Sequence, residues 1–315
     1  FYVTGSYRDP ALITDFAPYT TYYSFFEYHF RPDGSLSELN DLAGIEASWL
    51  SRNAPLATIT NLTVNGFSPE LTSQTLNHAE ARENLVNNIY HIATTKGYAG
   101  VNIDFEGNYA SDRDIFSTFL NELGERLHAA GLILTIAVHP KTSDDIPWLQ
   151  GYDFGAIGSV VDFMFIMAYD WHHLTSGPGP VAPINAVRSA ITYALNHMGR
   201  KQIILGIPFY GYDWIHSDTD RVNTRAISNH QAIELAARHG SSIYYSEEDQ
   251  SPYFYYVDEQ GQSHVVWFED SRSVAEKLLL VKEFQLLGVG AWQIGLGFYQ
   301  GPWLLTNFFN IRKVT

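Results

Sequence analysis

The chain has 315 residues, 45% apolar and 15% aromatic, a composition that builds a large core and excludes a disordered protein. Its 34 acidic residues against 19 Lys and Arg give a formal charge of −15, which repels nucleic-acid backbones and anionic lipid surfaces. The absence of cysteine excludes disulfides and thiolate sites, and the twelve His fall in no H-E-x-x-H or H-x-H spacing, so no metal and no cofactor are expected.

The longest apolar stretch, at 132–138, is far short of the roughly 20 residues that span a bilayer, so no membrane insertion is expected. Because the chain opens on Phe1 rather than Met, the start of the gene product, with any leader or preceding module, is expected to lie outside it. In chain order, short β-branched or aromatic runs fall at 1–4, 20–28, 56–61, 100–105, 132–139, 163–169, 202–209 and 290–294. Amphipathic helical stretches separate several of them, at 79–95, from Ser111 to Gly131, at 183–198 and at 273–287. In the second of these, Ser111 reads as the N-cap, Asp112 and Asp114 fill the first turn, and Phe116, Leu120, Leu123 and Leu127 share one face up to the Gly131 stop. Eight strands alternating with helices predict an α/β fold, a (β/α)8 TIM barrel spanning 1–315 as a single domain.

One connection is too long for a βα unit. Residues 215–270, between strands seven and eight, are expected to form a small inserted α+β subdomain. It has one helix at 231–239 and two aromatic β-runs, at 253–257 and 264–268, around a turn from Asp258 to Gly261.

The chemistry concentrates in the fourth strand, Gly100-Val-Asn-Ile-Asp-Phe-Glu106. Strand alternation puts Asn102, Asp104 and Glu106 on one face, and Gly107-Asn108 ends the strand at the end where barrel enzymes keep their sites. Two close carboxyls in a partly buried site raise the pKa of one, and Glu106 is the expected acid. The pair His172-His173 is expected to border a cleft or cap a strand rather than to bind metal.

This run resembles the signature Asp-x-x-Asp-x-Asp-x-Glu of glycoside hydrolase family 18, the chitinase-like barrels, with Ala99 and Asn102 standing where the family has aspartates. Met167-Ala-Tyr-Asp170, Gly206-Ile-Pro-Phe-Tyr-Gly211 and Gly290-Ala-Trp292 resemble its sixth-, seventh- and eighth-strand motifs in order. The third-strand Ser-x-Gly-Gly is replaced by Ile59-Thr-Asn61, which with Asn102 is nearer to the spore-associated peptidoglycan glycosylases of bacilli within that family.

The resemblance implies a retaining glycoside hydrolase of the N-acetylglucosaminidase type, endo or exo, with substrate-assisted catalysis. Glu106 is then acid and base, Asp104 orients the 2-acetamido group, and Tyr169 donates a hydrogen bond to its oxygen. Asn102, Asp170 and Tyr210 contact the substrate, and Trp292 forms an apolar floor under the sugar. Trp171, Tyr212 and Trp214 either line further subsites or pack the insertion. The expected partner is a polysaccharide, bacterial peptidoglycan or a chitin-like glycan. The expected protein is a monomer, extracytoplasmic and associated with the spore or cell wall. Two rivals stay open, a chitinase and a catalytically silent glycan-binding protein; activity on peptidoglycan, chitin or neither separates them.

Overall fold

The structure, a computed structural model, describes residues 2–5, 15–38, 54–216, 223–296 and 298–314. Eight parallel strands carry the fold: β1 (Tyr2–Gly5), β2 (Tyr22–Phe30), β3 (Ala54–Thr60), β4 (Gly100–Asp104), β5 (Ile133–Val138), β6 (Phe163–Ile166), β7 (Ile203–Pro208) and β8 (Gly288–Trp292). Each pairs with its sequence neighbours, and β1 pairs with both β2 and β8, so the sheet closes into a TIM barrel. Strands β3 and β7 are buried at every position, because the barrel axis lies on one side and helices on the other.

Among the described residues the α-helices with both ends in view are α1 (Pro69–Asn77), α2 (Ala79–Thr95), α3 (Arg113–Ala129), α4 (Phe154–Gly158), α5 (Ile184–Leu195), α6 (Asn229–Arg238), α7 (Ser271–Glu283) and α8 (Gly301–Phe308). Leu85, Ile89, Phe116, Leu120, Leu123 and Leu127 are fully buried, which is the helical period turned onto the barrel wall. Ser111 is not the N-cap of α3. It sits in the 3-10 turn Ala110–Asp112 that tightens the approach to the helix, and Asp112 takes the cap position while accepting a bond from Asn77. Gly131 does end the helix, at φ +73°, with its N–H on the His128 carbonyl. The short helices α1, α4 and α8 carry too little periodicity to have been anticipated; α1 is announced instead by the Ser68 cap, which accepts from the Leu71 N–H.

Between β7 and β8 the chain builds a second sheet of five antiparallel strands, in the order Asn223–Ser228, Tyr210–His216, Ser263–Trp267, Ser251–Val257 and Tyr244–Ser246. It begins at Tyr210, directly after β7. One face packs α6 through Ile227, Ala232, Ala236, Phe254, Val266 and Phe268. Trp214 on the other face is buried and donates its indole N–H to the Ser176 carbonyl, pinning the sheet to the loop after β6.

Six of the eight barrel strands end one to three residues earlier than expected. Strand β4 stops at Asp104 and β6 at Ile166, which leaves Glu106 and Tyr169 in the segments that climb out of the barrel. The reason at β4 is a change of partner: the Glu106 N–H bonds the Asn61 side chain instead of a neighbouring strand.

Candidate active site

A pocket of about 420 Å³ opens at the carboxyl end of the barrel, lined among others by Asn102, Asp104, Glu106, Tyr169, Asp170 and Trp292. Six of the seven residues singled out from the sequence thus meet in one cavity. The seventh, Tyr210, is buried beside it: its ring packs edge-on to Tyr169 at 6.2 Å, and its hydroxyl donates to Asp170 at 2.8 Å.

Below the pocket the barrel axis is polar. Register aligns Thr58, Asn102 and Thr135 across β3, β4 and β5. Thr135 donates to the Asn102 side-chain oxygen at 3.0 Å, and Ser24 bonds Thr58 at 2.5 Å. Asp104 lies just above this layer, 7% exposed, with Oδ1 lacking a hydrogen-bond partner among the described residues. Burial, and then the nearby Glu106 charge, hold its carboxyl well above the usual carboxylate range. The raised carboxyl is thus found at the deeper member of the pair, Asp104.

Glu106 leans further out, and two side chains hold it. Asn61 clamps its backbone, accepting the Glu106 N–H at 3.0 Å and donating Nδ2–H to its carbonyl at 2.8 Å. His139, at the exit of β5, stands with Nε2 2.9 Å from Glu106 Oε2. The next residue, Gly107, takes φ +74°, a conformation glycine adopts without strain, and so lets the chain turn away.

Asp170 also has a positive φ, of 62°, and its Oδ1 accepts from both Tyr210 and Tyr212 at 2.8 Å. Desolvation at the crowded rim raises its pKa against the opposing pull of the two hydroxyls. On the far wall Trp292 stands edge-on to Phe26 at 5.8 Å, and its carbonyl accepts the Phe209 N–H, which ties β7 to β8 beneath the pocket. Tyr212 and Trp214 are buried in the main core, on the barrel side of the inserted sheet, and Trp171 packs partly buried against the same core. His172 and His173 lie in the turn after β6, bonded to Gly177 and to Thr175 respectively.

Asn61 and His139 were not singled out from the sequence as site residues. His139 had one available signal: it lies two residues beyond the inward-facing Ala137, at a strand end on the open face of the barrel.

A barrel with an acidic pair at the exit of its fourth strand and an indole across the pocket is the architecture of a glycan-cleaving enzyme. The family model "Glycosyl hydrolases family 18" matches residues 61–297, and the chain belongs to that family of glycoside hydrolases. It is 55% identical to the "Putative sporulation-specific glycosylase YdhD" of Bacillus subtilis (strain 168), over 97% of this chain and 73% of that protein. The crystal structure of the Bacillus cereus spore cortex-lytic enzyme SleL superposes with a TM-score of 0.93 at 32% identity, covering 99% of this chain and 74% of that one. The chitinase from Chromobacterium violaceum superposes at 0.92 with 28% identity, covering 98% of each chain. Among the described residues no helix is long and apolar enough to cross a membrane.

Proposed function

We propose that this chain is a retaining N-acetylglucosaminidase that cuts bacterial cell-wall glycan, the peptidoglycan of the spore, by substrate-assisted catalysis. The observation that carries the reading is the pairing of Asp104 and Glu106 at different depths of one pocket that Trp292 and Tyr169 also line. No second protein nucleophile is required, because the 2-acetamido oxygen of the sugar attacks its own anomeric carbon.

Glu106 protonates the glycosidic oxygen as that bond breaks, giving an oxazolinium intermediate and a free leaving sugar. Asp104 orients the acetamido N–H and stabilises the positive charge that develops, while the Tyr169 hydroxyl donates to the acetamido oxygen. Glu106 then takes a proton from water, which opens the intermediate from the face the leaving group left, and the configuration is retained. Trp292 offers an indole face to the sugar C–H groups. Asn102, Asp170 and Tyr210 contact the sugar or hold the groups that do.

The choice of glycan draws on the printed names of the relatives, a sporulation-specific glycosylase and a spore cortex-lytic enzyme. We place the protein outside the cytoplasm, at the spore or cell wall, acting as a monomer on a polysaccharide. The likeness to a solved chitinase favours one second reading, cleavage of chitin. Mass spectrometry of fragments released from purified spore peptidoglycan, with chitin oligomers in parallel, decides between them. Fragments ending in reducing N-acetylglucosamine, made by the wild type and not by Glu106→Gln, support the proposal. Release from chitin oligomers alone supports the second reading, and silence on both refutes the two together.

A further inference from the structure

Glu106 is tethered through its reactive end as well as its backbone. Its Oε2 lies 2.9 Å from Nε2 of His139, and the two side chains are 23% and 28% exposed. Among the described residues no other side chain bonds the Glu106 carboxylate. The imidazole is braced from outside by Trp148, which meets it edge-on at 5.0 Å and 75°. Trp148 is itself 55% exposed, so the ring packed on His139 is an indole left at the surface.

The neighbouring carboxyl is not placed to manage that proton through a third acid. Asn102, beside Asp104, has no titratable proton, and its oxygen already accepts from Thr135. At 2.9 Å the geometry has room for one proton on the line between Nε2 and Oε2.

Taking Glu106 as the acid and base, as proposed above, we infer that His139 is a positioning residue that shares the catalytic proton with it. In the free enzyme one proton lies between Nε2 and Oε2. When substrate enters, that proton goes with Glu106, the imidazole is left neutral, and Glu106 delivers it to the leaving oxygen as the C1–O bond breaks and the acetamido oxygen bonds C1. In the second half, water gives a proton to Glu106 as its oxygen bonds C1 and the acetamido oxygen leaves. That proton returns to the shared position, so the pair is restored after each turnover. His139 also aims Oε2 while the site is empty.

Among the described residues the other titratable groups around the pair are Asp104 from β4, Tyr152 from the segment before α4, and Tyr169 and Asp170 after β6, with His173 near Asp170. Tyr152 is held by donating to the Phe105 carbonyl at 2.7 Å, and Asp170 by its two tyrosines, so these groups stay put when His139 is changed.

The test is kcat/KM against pH on an N-acetylglucosamine oligosaccharide that the wild type cleaves, for wild type, His139→Gln and His139→Asn. The amide of Gln can still donate to Glu106 but holds no titratable proton. The alkaline limb should move to lower pH by about one unit or more in both variants, because the carboxyl then keeps its proton unaided. The optimum kcat/KM should fall roughly tenfold to a hundredfold, mostly in kcat, with Gln the milder change. An alkaline limb that stays where it is in both variants overturns the inference. A second readout needs no turnover: the 15N shift of His139 Nε2 should move in Glu106→Ala while those of His172 and His173 do not. A wild type silent on every glycan refutes the functional reading, and the inference then stands or falls on that shift, an unmoved Nε2 overturning it.

Discussion

Replacing Asn61 with Ala tests how the acid is held, because one buried side chain makes four bonds there. Its Oδ1 accepts the Glu106 N–H, and its Nδ2 reaches the carbonyls of Glu106 and Ser68 and the Thr72 hydroxyl. The Ser68 carbonyl keeps the Thr72 N–H as a donor, so its loss is small. The Glu106 N–H and carbonyl lose the partner that replaces the strand ladder at this point. With about 2 kcal/mol for each buried group left unsatisfied, Asn61→Ala should lose about 4 kcal/mol of stability. Urea unfolding followed by tryptophan fluorescence measures it. Turnover should also fall by about a hundredfold in protein that remains folded, since an ångström of displacement of a catalytic group costs that much. A variant within about 1 kcal/mol of wild type and with normal kcat would refute the argument that this side chain holds Glu106.

Three further outcomes are expected. The Asp104 carboxyl is raised on folding, so the folded protein keeps a proton that the unfolded chain has released, and stability falls as pH rises from the ordinary value of 3.8 through the raised one. Asp104→Asn should therefore be inactive yet more stable than wild type near neutrality, with the difference in urea midpoint vanishing in acid; equal midpoints at both ends would count against the assignment. Lys277 and Glu269 form a fully buried ion pair at 2.9 Å where the inserted sheet returns to α7. Lys277→Met, which strands that carboxylate, should cost about 3–5 kcal/mol, and adding Glu269→Leu should recover much of it, both read by chemical denaturation. Trp292→Ala should raise KM for an oligosaccharide about tenfold with a smaller change in kcat, and an unchanged KM would remove the indole from the sugar site.

Much of the barrel was legible because its signals are local. The two-residue period brings Asn102, Asp104 and, just past the strand end, Glu106 to one pocket, and the helical spacing of Phe116, Leu120, Leu123 and Leu127 buries one face of α3. What eluded the sequence depends on contacts between distant segments. Asn61 meets Glu106 across 45 positions and His139 meets it across 33, so neither can be inferred from spacing along one strand. That the Asp104 carboxyl is raised depends on its depth along the barrel axis, which spacing along the chain does not give. Ser111 misled as a cap because an N-cap residue type also suits the 3-10 turn that precedes α3.

On the function proposed above, Glu106 drives a retaining cleavage in which the sugar supplies the nucleophile. The most direct measurement is 1H NMR of the anomeric region during the first minutes of cleavage of a β-linked N-acetylglucosamine glycan, with Glu106→Gln as the blank. The β-anomer should appear first in the wild type, relax to the equilibrium mixture by mutarotation, and be absent from the variant. An α-anomer appearing first, or product formed equally by Glu106→Gln, would contradict it.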